Sequence, residues 1–132
     1  MINKNLLITG GSTRIGKELA LHFSKKRWNI AIHYFRSSLK AKILKKKLEE
    51  NSIKVVLIKA DLRNERQVKK IIPFLKKKLG KIHCLINNAA LFEKDDVSNF
   101  SLKSWNDHLN TNLLAPTILI KEFANQASKK NL

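Results

Sequence analysis

Three of the chain's four glycines, Gly10, Gly11 and Gly16, share one seven-residue window. The apolar run Leu6-Leu7-Ile8 enters it and an amphipathic helical pattern leaves it. A strand that becomes a helix through such a loop can gather backbone N–H groups and a helix N-terminus around a phosphate, because glycine has no Cβ in the way. Ser12 and Thr13 add hydroxyls, Arg14 adds a fixed charge, and Ile15 opens the helix. Gly11 to Lys17 also spells G-x-x-x-x-G-K, the body of a nucleoside-triphosphate loop. The next residue is Glu18, where that loop needs a hydroxyl for magnesium, and no later apolar strand ends in a convincing magnesium-binding Asp. The magnesium-dependent reading is therefore disfavoured.

Alternating strands and helices must carry these groups. The hydrophobic pattern predicts strands at 5–9, 29–34, 54–59 and 82–86, with helices at 15–26, 38–50 and 65–79. Pro73 should kink the third helix and Gly80 should end it. Ser101 or Ser104 can cap a last long helix reaching about residue 127, disturbed near Pro116. This order predicts an α/β fold of the Rossmann type, a doubly wound parallel sheet truncated after about four strands. Ligands of such sheets bind beyond the strand C-termini at the topological switch point. The glycine loop, Phe35-Arg36-Ser37, Asp61-Leu62 and Asn87-Asn88-Ala89-Ala90 all follow strand ends, so one ligand could touch them all.

Thr9-Gly10-x-x-x-Arg14-Ile15-Gly16, Asn87-Asn88-Ala89-Ala90, Trp105 seven residues before Asn112, and Asn112-Leu113-Leu114-Ala115-Pro116 together resemble the short-chain dehydrogenase/reductase family. The resemblance runs from Leu6 to the C-terminus. It departs at Arg14, where the family's loop usually has its middle glycine, and at Ala90, where a glycine usually follows Asn-Asn-Ala. The first departure looks like a variation of NADP-dependent members. The resemblance implies a cofactor site formed by Gly10, Ser12, Thr13, Arg14, Ile15, Gly16, Phe35, Arg36, Ser37, Asp61, Leu62, Asn88, Ala89 and Ala90. Asp61 would contact the adenine, or else cap the helix that follows it.

Charge separates the two cofactor forms. An NAD site usually ends strand two with Asp or Glu, for the ribose hydroxyls. Here that segment is Tyr34-Phe35-Arg36-Ser37, with no acid, so Arg14 and Arg36 could pair with a 2′-phosphate and the expected cofactor is NADP(H). Arg14-Ile15-Gly16, His33 to Ser37 and Asn88 to Phe92 look most like pteridine reductases, in which an aromatic at the Phe92 position stacks on the pterin.

Reduction also needs a proton donor, which the family supplies with Tyr-x-x-x-Lys. The only tyrosine here is Tyr34, and Ser38 stands four residues on. Of the family's catalytic set only Asn112 can be matched, holding a water in the proton relay. Residues 1–132 thus read as one incomplete NADP-binding domain whose C-terminal catalytic half is absent, the chain stopping about where a fifth strand should begin. The implied function is an NADPH-dependent oxidoreductase acting on a dihydropteridine or small carbonyl compound. The alternative is a non-catalytic nucleotide-binding remnant of a decayed or split gene.

Composition excludes other classes. The net charge of +17 invites a nucleic-acid reading, but only five of the 27 basic residues are Arg and no aromatic residues interleave with the basic clusters. Lys45-Lys46-Lys47 and Lys76-Lys77-Lys78 read as solvated helix faces. No run approaches a membrane span, no signal peptide is evident, and the single Cys84, expected in the core, suits a reducing cytoplasm. The four histidines lack metal-ligand spacing and read as structural or exposed, so no metal is expected. The expected partners are a small-molecule substrate and, in a full-length form, further copies of the same chain.

Overall fold

Leu6, Leu7 and Ile8 are wholly buried, which consecutive strand residues can be only if both faces of their sheet are covered. The computed structural model describes residues 3–127. Four parallel strands, β1 (Asn5–Ile8), β2 (Asn29–Tyr34), β3 (Val55–Lys59) and β4 (Cys84–Ile86), lie in the order β3-β2-β1-β4. The chain winds outward from β1 to β3, then crosses back to place β4 on the other side of β1. That reversal is the switch point, between β1 and β4.

Helices α1 (Arg14–Lys25) and α2 (Ser38–Glu49) cover the face carrying Leu6, Ile8, Ile30 and Ile32. The other face, with Leu7 and Ala31, packs on α3 (Glu65–Leu79) and α5 (Ala115–Gln126). The expected α/β class and doubly wound topology are the observed ones. Pro73 does not break α3, which runs through it, because Pro73 lies on the exposed face where water can serve the carbonyl it leaves unpaired. Gly80, at φ +84, ends the helix as expected.

Two elements differ from expectation. Strand four begins at Cys84 rather than at Ile82. The backbone of Ile82 bonds the Gln126 side chain instead, its N–H donating at 2.9 Å and its carbonyl accepting at 2.6 Å. Asn5 anchors the same corner by donating to the carbonyls of Leu79 and Lys81. Cys84 is half-buried at this edge rather than sealed in the core.

The last helix is three pieces: α4 (Leu102–Leu109), a π-helical turn at Asn110–Leu114, and α5. Ser101 caps α4 by accepting from the Ser104 N–H at 3.1 Å. The disturbance thus lies just before Pro116, which opens α5 and has no N–H to offer the carbonyl of Asn112 four residues back. The expected beginning of a fifth strand falls outside the described residues.

β4 stands at the sheet's outer edge, and Leu102, Trp105, Leu109, Leu113 and Ile120 are exposed on the helices after it. An open edge beside apolar helix faces favours association. We expect the purified chain to self-associate in light scattering, more strongly as salt screens its net charge of +17. A sharp, reversible, concentration-independent monomer melt would contradict this.

Candidate functional site

Because β1 and β4 are neighbours, the segments leaving them emerge side by side, and Thr9 fastens them together. Its buried Oγ1 accepts from the backbone N–H groups of Asn88 and Ala89, each at 3.0 Å. Asn88 Nδ2 donates in return to the carbonyls of Thr9 at 3.0 Å and Gly10 at 3.1 Å. The approach is so close that side chains are excluded. A Cβ on Gly16 would lie 2.3 Å from the Gly10 oxygen and 2.9 Å from Gly11 Cα. Gly10 has φ +60, the left-handed region.

His33, only 2% exposed, supports the loop from β2. Its Nδ1 accepts from the Gly10 N–H at 3.1 Å, so the proton sits on Nε2, which donates to the Ala60 carbonyl at 2.9 Å. The His33 carbonyl accepts from the Gly11 N–H at 3.0 Å. Burial pushes its pKa below the ordinary value and outweighs the opposing Ala60 bond. The ring is a neutral brace.

Arg14, the first residue of α1, has φ +47. This is the position where the resembled loop usually has glycine, and here an arginine accepts the left-handed backbone. Beyond the loop opens a cleft of about 930 Å³, whose lining includes Gly10, Ser12, Thr13, Arg14, Ile15 and Ser37. Asn88, Ala89 and Ala90 close it from the β4 side, while Lys17, Lys40 and Lys47 also line it. No carboxylate is in the lining. Lys47, expected on a solvated face, thus borders the cleft, whereas Lys45 donates to the Val55 carbonyl and pairs with Glu49. Gly16 lies behind the loop as packing.

Phe35, Arg36, Asp61 and Leu62 are outside that lining. The Arg36 and Arg63 guanidinium groups lie 5.3 and 5.5 Å from the Phe35 ring centroid. Arg63 grips Asp61 with Nε and Nη2, at 3.0 and 2.8 Å, and holds its carboxyl below the usual range. The helix cap is not Asp61 but Asn64, whose side chain accepts from the Gln67 N–H. Leu62 is in the core, so only its backbone can face a ligand. Asn112, on the π-helical turn, donates to the Leu91 carbonyl and accepts from the Leu91 N–H, both at 2.8 Å. Phe92 beside that clamp is 86% exposed and lines an apolar hollow with Phe100 and Trp105.

Sequence reasoning left Thr9 and His33 out of the site, although both stood in quoted motifs. Both act through buried hydrogen bonds to backbone, for which a linear pattern offers no signal. Lys40 and Lys47 were hidden inside ordinary helix-surface spacing.

The family model for short chain dehydrogenases matches residues 4–131. The chain belongs to this family. It is 28% identical over 112 residues to the 3-oxoacyl-[acyl-carrier-protein] reductase FabG of Staphylococcus epidermidis, covering 85% of this chain and 46% of that protein. FolM alternative dihydrofolate reductase 1 from Brucella canis, complexed with NADP, superposes with a TM-score of 0.90 at 26% identity, over 98% of this chain and 52% of that one. A Burkholderia cenocepacia short chain dehydrogenase in complex with NADP gives 0.90 at 25% identity, over 94% and 51%. The chain thus spans about half the length of the relatives it matches.

Two outcomes follow from the loop. Because folded His33 resists protonation, stability should be fully present above about pH 6.5 and decline as pH falls below it, where the unfolded ring takes up the proton. Urea melts should show this slope in the wild type and a weaker one in His33→Gln. Arg14→Gly should relieve the left-handed strain and raise stability by about 0.5–1 kcal/mol, net of glycine's entropy cost. Lower stability in that variant would mean that the arginine side chain contributes more than its backbone costs.

Proposed function

We propose that this chain forms the NADP(H)-binding half of an NADPH-dependent reductase whose substrate is a dihydropteridine. The observation that carries the reading is the Thr9–Asn88 junction, which brings the glycine loop and the Asn88–Ala90 segment to one cleft lined by cations and free of carboxylates. Support for the cofactor comes from two solved relatives complexed with NADP. Support for the substrate comes from the likeness to an alternative dihydrofolate reductase.

In this reading the turn from Gly10 to Arg14 and the α1 N-terminus bind the pyrophosphate. A basic end to β2, together with Arg14, favours the 2′-phosphate form. Asp61 and the Leu62 backbone border the adenine, and Phe92 covers the pterin from the exposed loop. When bound, NADPH supplies the hydride. Asn112 holds the post-β4 loop through Leu91, and its main chain, denied the Pro116 N–H, orders a water for the proton relay. No group here donates the proton: Tyr34 ends β2, on the cofactor side. That donor belongs to a Tyr-x-x-x-Lys pair outside this sequence. A cytoplasmic setting and homo-oligomerisation of a full-length form complete the reading.

The chain should bind NADPH more tightly than NADH in fluorescence titrations, and Gly16→Ala should abolish both. With dihydrobiopterin or dihydrofolate, NADPH absorbance should stay constant for the chain alone. It should fall once the chain is joined to a C-terminal half carrying Tyr-x-x-x-Lys. Equal affinity for the two cofactors would overturn the NADP(H) reading. Turnover by the chain alone would overturn the assignment of the acid. A completed protein that reduces only 3-oxoacyl compounds would overturn the substrate.

A further inference from the structure

Three histidines accept a backbone N–H through a ring nitrogen, and they differ in place and burial. His33 is sealed beneath the glycine loop. His83 takes the Asn5 N–H at the opposite end of the strands. His108, on α4, is half-buried and meets the segment that leaves β4. Its Nε2 accepts from the Glu93 N–H at 3.0 Å, so the proton sits on Nδ1, which donates to the Ser104 carbonyl at 2.7 Å. One turn further on, Asn112 holds both the N–H and the carbonyl of Leu91. Phe92 lies between these two holds. It is 86% exposed, so the backbone on either side sets its place rather than burial of its ring.

The two holds respond differently to a proton. An amide does not titrate, whereas histidine changes charge between about pH 5 and 8. Once protonated, Nε2 is a donor and can no longer accept the Glu93 N–H. Glu93, Asp95 and Asp96 line the same hollow as His108, and among the described residues Glu93 and Asp95 are in no ion pair. Asp96 is occupied by the Ser98 and Asn99 N–H groups. Asp107, beside His108 on α4, is held by Lys103 at 2.6 Å and Arg63 at 3.7 Å. Lys94, the cation of the segment, is outside the hollow. A charged ring therefore exchanges its backbone partner for a carboxylate, and the segment loses one of its two fixed points.

We propose that His108 is a positioning residue for Phe92 and a pH-operated latch. Neutral, it holds the segment after β4 at Glu93; protonated, it lets Glu93 go while Asn112 keeps Leu91. The consequence for catalysis, a substrate cover that loosens in acid, rests on the dihydropteridine reading above, and the latch itself does not.

The test is hydrogen exchange of the whole chain, read by mass spectrometry with fragmentation across residues 88–100 and corrected for the intrinsic effect of pH. The Glu93 amide should be protected roughly three- to tenfold more at about pH 7.5 than at about pH 5.5, and the Leu91 amide should change by less than about twofold. His108→Gln, whose Oε1 can accept the same N–H and takes no proton, should keep the protection at both pH values. His108→Ala should lack it at both. His33 stands in every variant, so acid weakening of the whole fold affects all alike, and the difference between wild type and His108→Gln reports the latch. Equal protection of Glu93 at the two pH values in the wild type would overturn the proposal. So would an acid loss that persists in His108→Gln, or an equal loss at Leu91. A completed protein that does not act on dihydropteridines overturns the substrate reading and leaves the exchange results standing.

Discussion

Thr9 Oγ1 accepts two backbone N–H groups from the segment after β4, and Asn88 returns two bonds to the backbone after β1. These four bonds draw together two connections separated by almost eighty residues of sequence. Once they are that close, no side chain fits between them, which explains why positions 10 and 16 are glycine. His33 then sets the height of the loop from below, with one ring nitrogen on Gly10 and the other on Ala60. The cleft exists because its rim is tied on three sides to strands whose side chains are buried. A change that opens the junction would lose the site before it lost the sheet.

Electrostatics of the cleft follow from where the acids are, not from the total charge. Five ion pairs among the described residues occupy Asp61, Glu49, Glu65 and Asp107, all away from the lining. Arg14, Lys17, Lys40 and Lys47 are left facing a space without a neutralising partner. Most of the remaining lysines lie on outer helix faces, where water screens them and each pair contributes little. The same excess of positive charge therefore has two meanings, set by geometry.

The far end of the site has a different logic. Asn112 spends its side-chain amide on Leu91, and the π-helical turn that presents it precedes a proline unable to close the ordinary ladder. The turn thereby fixes the start of a long polar connection from within a helix. Beyond Leu91 the chain is exposed, with Phe92 and Trp105 on the surface rather than in the core. The chain spans about half the length of its relatives.

The sequence alone determined the strand–helix alternation, the parallel class and the glycine loop that joins β1 to α1. Those are local properties: period-two and period-3.6 burial, glycine without Cβ, and the absence of an acid after β2 are each readable within a short window. It also placed Gly80 as the end of α3. It misplaced the start of β4, because the Ile82 backbone pairs with a side chain more than forty residues away, which no window contains. It also read Lys47 as part of a solvated helix face, whereas the packing of α2 on the sheet brings it to the rim of the cleft. Local backbone preference writes the elements into the sequence, whereas the direction of a long side chain is decided by neighbours that only the folded chain assembles.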